Sequence, residues 1–263
     1  MNLQLRHPLP VIVNNRDLRV ELLLQDLVRL GATELHLIDN ASTFPELVDW
    51  LSFAPAEIED RQSARSVPLT IHRWTNCGPR AACRLVHTLR RQWLRQGVEY
   101  YATTDSDLFL GTTGTAVLQD FVALHQWICQ RLVWGNPERI RIGCALSLDS
   151  INDPDGHIRR AELPYGEPSR LIRPVDCPAI SPTDELYWAP IDTTLAVIRL
   201  DPGWNGDYAP AIRVAGLNRK ACHAFHSPWH QSPGNRPPDY QWYLDHADPQ
   251  GTVYTARYVQ ERK

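Results

Sequence analysis

Apolar and polar positions follow two alternating periods along the first hundred residues. Pro10-Val-Ile-Val-Asn14 is apolar on both faces and predicts a short buried strand. Leu18, Leu22, Leu23, Leu27 and Leu30 then recur at helical spacing, with Asp17 ahead of them as an amino-terminal cap and Gly31 behind them as a stop. A second strand is predicted at 35–39, followed by the polar Asn40-Ala-Ser-Thr43 and a short helix over 45–51. A third strand at 67–72, a long helix over 79–95 and a fourth strand at 98–103 carry the rhythm to Asp105. Such alternation predicts an α/β fold with a mainly parallel central sheet flanked by helices, and ligands bound beyond the carboxyl ends of the strands. Asn14, Asp39, Asn76 and Asp105 fall at or just after those ends.

Farther on the pattern loosens. A helix over 115–132 leads to a strand at 140–148, and the polar, proline-bearing segment 152–182 resists regular assignment. Another strand is predicted at 193–200. The remaining stretch carries Pro202, Pro210, Pro228, Pro233, Pro237 and Pro238 and is expected to be mostly loops. A chain of 263 residues fits one large α/β domain, and 43% apolar with 22% charged residues is an ordinary globular balance.

Charge narrows the class. The net charge of −3 supplies no global basic field, so nucleic acid is not expected as a partner, and Arg80, Arg84, Arg90, Arg91 and Arg95 on the predicted 79–95 helix read as a solvated face. No apolar run is long enough to cross a bilayer and no signal-peptide core follows Arg6, which predicts a cytoplasmic chain without a transmembrane segment, open to peripheral membrane contact. The six dispersed cysteines contain no C-x-x-C and read as reduced thiols.

The sharpest chemical feature is Tyr101-Ala-Thr-Thr-Asp105-Ser-Asp107-Leu108, where a strand ends in two carboxylates one residue apart. Hard oxygen ligands at a strand end suit Mg²⁺ or Mn²⁺, and a bound cation neutralises a departing diphosphate. Two aspartates at such a junction are also common turn residues. The pattern resembles the D-x-D signature of GT-A glycosyltransferases. Val11-Ile-Val-Asn14-Asn-Arg16 and Leu37-Ile-Asp39-Asn40-Ala-Ser42-Thr43 look like the nucleotide-binding start of family-2-like members, although Asn40 to Thr43 also reads as a helix cap. Asn76-Cys-Gly78-Pro79-Arg80 resembles the Asn-x-Gly turn before their third helix, and His223-Ala-Phe-His226-Ser-Pro-Trp229-His230 looks like their late metal-binding loop.

This resemblance implies a GT-A-like domain spanning 1–263, with 1–110 binding a nucleoside-diphosphate sugar and 111–263 binding a saccharide or glycoconjugate acceptor. It implies Asn14, Arg16, Asp39, Asn40, Asn76, Arg80, Asp105 and Arg213 around the donor. Mn²⁺ or Mg²⁺ falls on Asp105, Asp107 and His226, Arg219 or Lys220 help with the diphosphate, and Trp229 stacks on a sugar. Inverting transfer needs a carboxylate base near the acceptor hydroxyl. Asp149, Asp184, Glu185 and Asp192 are candidates, and Asp192, before an apolar strand, is preferred. The family-2 Pro-x-Tyr-Asn opening is absent. A nucleotidyltransferase is the enzyme alternative, but Asn14-Asn-Arg-Asp17 lacks the glycine-rich loop that chemistry needs. A catalytically silent glycan-binding protein is the alternative from another class.

Overall fold

The computed structural model describes residues 7–110, 117–131, 136–149, 151–153, 156–167, 170–172, 177–178, 184–191, 195–201, 210–216 and 223–246. In chain order the strand-helix rhythm runs β1 (Pro10–Asn15), α1 (Glu21–Leu30), β2 (Glu34–Asn40), α2 (Pro45–Phe53), β3 (Glu57–Asp60), β4 (Arg65–Trp74), α3 (Ala81–Arg95) and β5 (Tyr100–Asp105). It continues through β6 (Leu108–Leu110), α4 (Val117–Arg131), β7 (Arg141–Leu146), α5 (His157–Glu162), β8 (Asp184–Trp188), β9 (Ala196–Arg199), β10 (Ala211–Gly216), β11 (His223–His226) and α6 (Pro238–His246).

The sheet runs β3-β4-β2-β1-β5-β9-β7-β10-β8, with β11 joining β7 to β6. Strands β4, β2, β1 and β5 are mutually parallel. Strand β9 enters antiparallel between β5 and β7, while β3 and β8 are antiparallel to their neighbours. The sheet is therefore mixed, which corrects the expectation of a mainly parallel one. A parallel partner needs a crossover of a dozen or more residues, usually a helix. Helices α1, α2 and α3 provide such crossovers early in the chain. After β7 the described helical pieces are short, and β8 and β9 pair in the opposite sense to their neighbours, whereas β10 and β11 return parallel to β7.

Alternation along the strands sorts the core onto two faces. Val11, Val13, Leu35, Leu37, Tyr100, Ala102 and Val197 pack with the apolar sides of α1, α2 and α4. Ile12, Ile38, Tyr101 and Ile198 turn the other way and pack beneath Ala81, Leu85, Val86 and Trp93 of α3. Both faces of β1 and β2 are covered, which explains their near-continuous apolar runs.

Other expectations also change. The proline-rich carboxyl-terminal stretch, expected as loops, holds β10, β11 and α6. Its prolines fall outside those strands, and Pro238 opens α6, where its missing N–H is harmless. The 152–182 segment contains α5 and a 3₁₀ turn, Leu163–Gly166. Strands β3, β6 and β8 are too short or too polar to announce themselves by period. Asp17 does not cap α1, whose amino-terminal flank is Val20 with no side-chain cap. Among the described residues, no helix is long and apolar enough to cross a membrane.

Candidate functional site

Strand β1 has β2 on one side and β5 on the other: the chain moves outward from β1 through β2 to β4, and α3 then carries it back across the sheet to β5. This reversal of strand order is the topological switch point at which open α/β sheets bind ligands beyond their carboxyl ends. Asn14 pairs in register with Asp105, Asn15 pairs with Asp39, and the Ser106 N–H donates to the Asn14 carbonyl at 3.1 Å. The ends of all three strands therefore meet at one place. Pleating puts Asn14, Asn40 and Asp105 on the side of α3, and Asn15 and Asp39 on the side of α1 and α2. The Asn14 side-chain oxygen is buried and has no hydrogen-bond partner among the described residues.

The D-x-D segment turns from β5 into β6, and β6 pairs antiparallel with β11, aligning Leu108 with His226. The Ser227 N–H donates to the Asp107 carbonyl at 2.8 Å. These backbone bonds set Asp107 Oδ2 3.1 Å from His226 Nε2, with the side chains 23% and 13% exposed. Asp107 Oδ1 is buried without a hydrogen-bond partner among the described residues. One carboxylate with an orphaned oxygen beside one imidazole gives two donors a divalent cation could take, the carboxylate being the one that suits Mg²⁺ or Mn²⁺. Among the described residues no group of three or more His, Cys, Asp or Glu side chains is arranged around a common metal position. A cation here would need its remaining ligands from outside these two side chains.

The two loops after β1 and β2 are tied together by Asp17, which the sequence suggested only as a cap. Asp17 is 1% exposed and adopts a left-handed φ of 63°. Its Oδ1 accepts from the Thr43 N–H, from the Phe44 N–H at 2.8 Å and from the Thr43 hydroxyl at 3.3 Å. Its own N–H donates to Ser42 Oγ, and the Ser42 N–H donates to Asp39 Oδ1, each at 2.9 Å. Asp39 thus holds the turn in which its motif lies. Arg16 Nε lies 3.7 Å from Asp17 Oδ2, on the same loop.

Helix α6, at the far end of the chain, completes this assembly. Trp242 Nε1 donates to Thr43 Oγ1 at 3.0 Å, Asp239 accepts from the Arg19 N–H at 2.8 Å, and Arg16 donates to the His246 carbonyl at 3.4 Å. Leu18 packs with Tyr240 and Leu244. No period in the sequence links α6 to the β1 loop, since the contacts are set by tertiary packing alone.

Several proposed donor residues have structural partners. Asn40 Oδ1 accepts from the Cys77 N–H at 2.6 Å and its amide donates to the Gly78 carbonyl at 3.4 Å, so Asn40 braces the turn leading into α3. Asn76 accepts from the Gly78 N–H within that turn and is exposed, as is Arg80 at the start of α3. Arg213 is 6% exposed, paired with Glu162, and donates through Nε to the Pro190 carbonyl at 2.9 Å. It lies on β10, three strands from β5, or about 14 Å across the sheet. Its charge is neutralised there, away from the strand ends of β1 and β5.

Asp192, Arg219 and Lys220 lie outside the described residues, as do the side chains of Trp229 and Asp184. Of the other base candidates, Asp149 is exposed in a turn and Glu185 accepts from the Tyr187 hydroxyl. A second polar cluster, not anticipated from sequence, lies under α3. Glu34 Oε1 is 3.1 Å from His36 Nε2, and His36 Nδ1 is 3.0 Å from His72 Nε2. Burial, reinforced by the neighbouring His36, lowers His72 to about 4, while the His36 hydrogen bond holds the Glu34 carboxyl below its ordinary range. No protein-family model matches the chain, and no curated protein matches it in sequence.

Proposed function

We propose that this chain is a divalent-metal-dependent glycosyltransferase of GT-A-like fold, moving a sugar from a nucleoside-diphosphate sugar to a saccharide or glycoconjugate acceptor in the cytoplasm. The observation that carries the reading is the meeting of Asp107 with His226 at the carboxyl end of β5, beside Asn14 and Asp105 at the switch point. Two further features support it: the parallel β4-β2-β1-β5 unit that builds the crevice, and the Asp17 and α6 contacts that give its rim a fixed shape.

In this reading residues 1–110 bind the donor and 111–263 the acceptor. Asp107 and His226 hold Mn²⁺ or Mg²⁺, with Asp105 on the same turn. The cation supplies charge neutralisation of the leaving diphosphate. Asp39 meets the nucleoside at the strand ends from the α1 and α2 side, Asn14 approaches it from the α3 side, Arg16 lies at the same rim, and Arg80 offers its guanidinium at the amino end of α3. The protein accelerates transfer chiefly by fixing these groups before the charge develops. Asp192 is the base proposed for the acceptor hydroxyl.

The test is a thermal-shift panel of nucleoside diphosphates and nucleotide sugars, with and without Mn²⁺, on the wild type and on Asp107→Ala. A ligand at about 100 times its Kd stabilises the native state by about 2.7 kcal/mol, a rise of roughly 5 to 10 °C for a chain of this size. A Mn²⁺-dependent rise for one nucleotide, lost in Asp107→Ala, is expected. A well-folded wild type that responds to no nucleotide would refute the proposal.

A further inference from the structure

Helix α3 buries Ala81, Leu85, Val86 and Trp93 against the sheet and turns a basic stripe outward, with Thr88, Gln92 and Leu94 exposed beside it. Arg84, His87, Arg91 and Arg95 are exposed at helical spacing, and Arg80, on the preceding turn, extends the same stripe. The helix contains no acidic residue. Among the described residues none of these arginines forms an ion pair, although the chain as a whole carries an excess of acids.

Helix energetics do not account for this arrangement. Arg80 and Arg84 lie at the amino end, where the macrodipole favours carboxylates and disfavours cations. Arg80–Arg84 and Arg91–Arg95 are like-charge pairs at i,i+4, which destabilise an isolated helix. A local rule broken without compensation inside the molecule points to a partner outside it.

We infer that the outward side of α3 is a docking surface for an anionic lipid bilayer. Its fifteen residues carry a stripe about 22 Å long on the outer side of the sheet. Leu94, 41% exposed, lies among the arginines as an apolar contact, and arginine stems bury readily at a headgroup boundary while their charges reach phosphate. A single-stranded nucleic acid is instead tracked by a groove with stacking rings. Here the helix's one tryptophan, Trp93, is fully buried against His36 and Tyr101. The amino end of the stripe adjoins the turn braced by Asn40, so docking holds the strand-end crevice at headgroup level. The inference stands independently of the donor-site reading.

The experiment is co-sedimentation of the full chain with phosphatidylcholine vesicles, alone or with about 30% phosphatidylserine, at low and high salt. The variants are Arg84→Gln/Arg91→Gln/Arg95→Gln and the matching triple lysine substitution. Wild type is expected to bind the anionic vesicles only, and more weakly in high salt. At about fivefold per arginine, the glutamine triple binds about 100-fold more weakly while melting no lower than wild type, and the lysine triple retains binding. Failure of the wild type to bind anionic vesicles at low salt, equal binding to neutral vesicles, or full binding by the folded glutamine triple overturns the inference. If the wild type ignores vesicles yet binds a single-stranded RNA through the same arginines, the face belongs to nucleic acid instead.

Discussion

Asp17→Ala should be among the most damaging substitutions at the rim of the crevice, although Asp17 is predicted to bind nothing itself. The change removes a buried anionic acceptor from the Thr43 and Phe44 N–H groups and from the Thr43 hydroxyl. Thr43 is exposed and its N–H can turn to water, whereas Phe44 is 4% exposed. Loss of a hydrogen bond to a charged group and a stranded buried donor together remove about 2 to 3 kcal/mol. The left-handed φ of 63° adds about 1 kcal/mol, because alanine tolerates that region less well than aspartate or asparagine. The sum is about 3 to 4 kcal/mol, or a fall in Tm of roughly 10 °C. Asp17→Asn keeps an acceptor oxygen and the tolerance for positive φ, so it should lose about 1 kcal/mol. Urea unfolding followed by tryptophan fluorescence and by circular dichroism measures both variants. If Asp17→Ala lies within 1 kcal/mol of wild type, or Asp17→Asn is as damaging as Asp17→Ala, Asp17 does not tie the two loops together.

Two predictions concern the core. At Gly143 on β7 an added Cβ would lie 2.4 Å from the Leu195 carbonyl oxygen and 2.8 Å from Ile191, so Gly143→Ala must push β9 away from β7. A loss of about 1 to 3 kcal/mol in urea unfolding is expected, and an unchanged midpoint would show that the strands separate freely. His125, fully buried with Nδ1 3.2 Å from Tyr100 Oη, is lowered from 6.5 to about 4 by burial, with Arg199 adding to the effect. Above pH 6.5 both the folded and the unfolded states leave it neutral. Between 6.5 and 4 the unfolded chain takes up the proton first, so stability falls with pH, by about 3 kcal/mol at pH 4.5. His125→Gln should show that much less acid destabilisation between pH 7.5 and 4.5, and an identical loss in both proteins would count against the assignment.

What the sequence determines by itself is local. The apolar runs at Val11 to Val13 and Leu35 to Ile38 specify strands buried on both faces, and the leucines of α1 and the arginine-bearing amphipathic pattern of α3 specify helices. Helical crossovers between strands then impose the parallel half of the sheet, so the placement of Asn14, Asp39 and Asp105 at strand ends was legible from period alone. The antiparallel insertion of β9 was not, because a short strand has the same alternation whichever way it runs. The adjacency of Asp107 and His226 rests on β6 pairing with β11, two strands of three and four residues whose partnership no local pattern encodes. The role of Asp17 likewise depends on tertiary structure. A carboxylate before a helical pattern reads as that helix's cap, yet here a left-handed turn aims it at the next loop. Pairing, register and the commitment of Asn40 and Arg213 to internal partners arise from contacts between distant segments, and tertiary structure alone decides those.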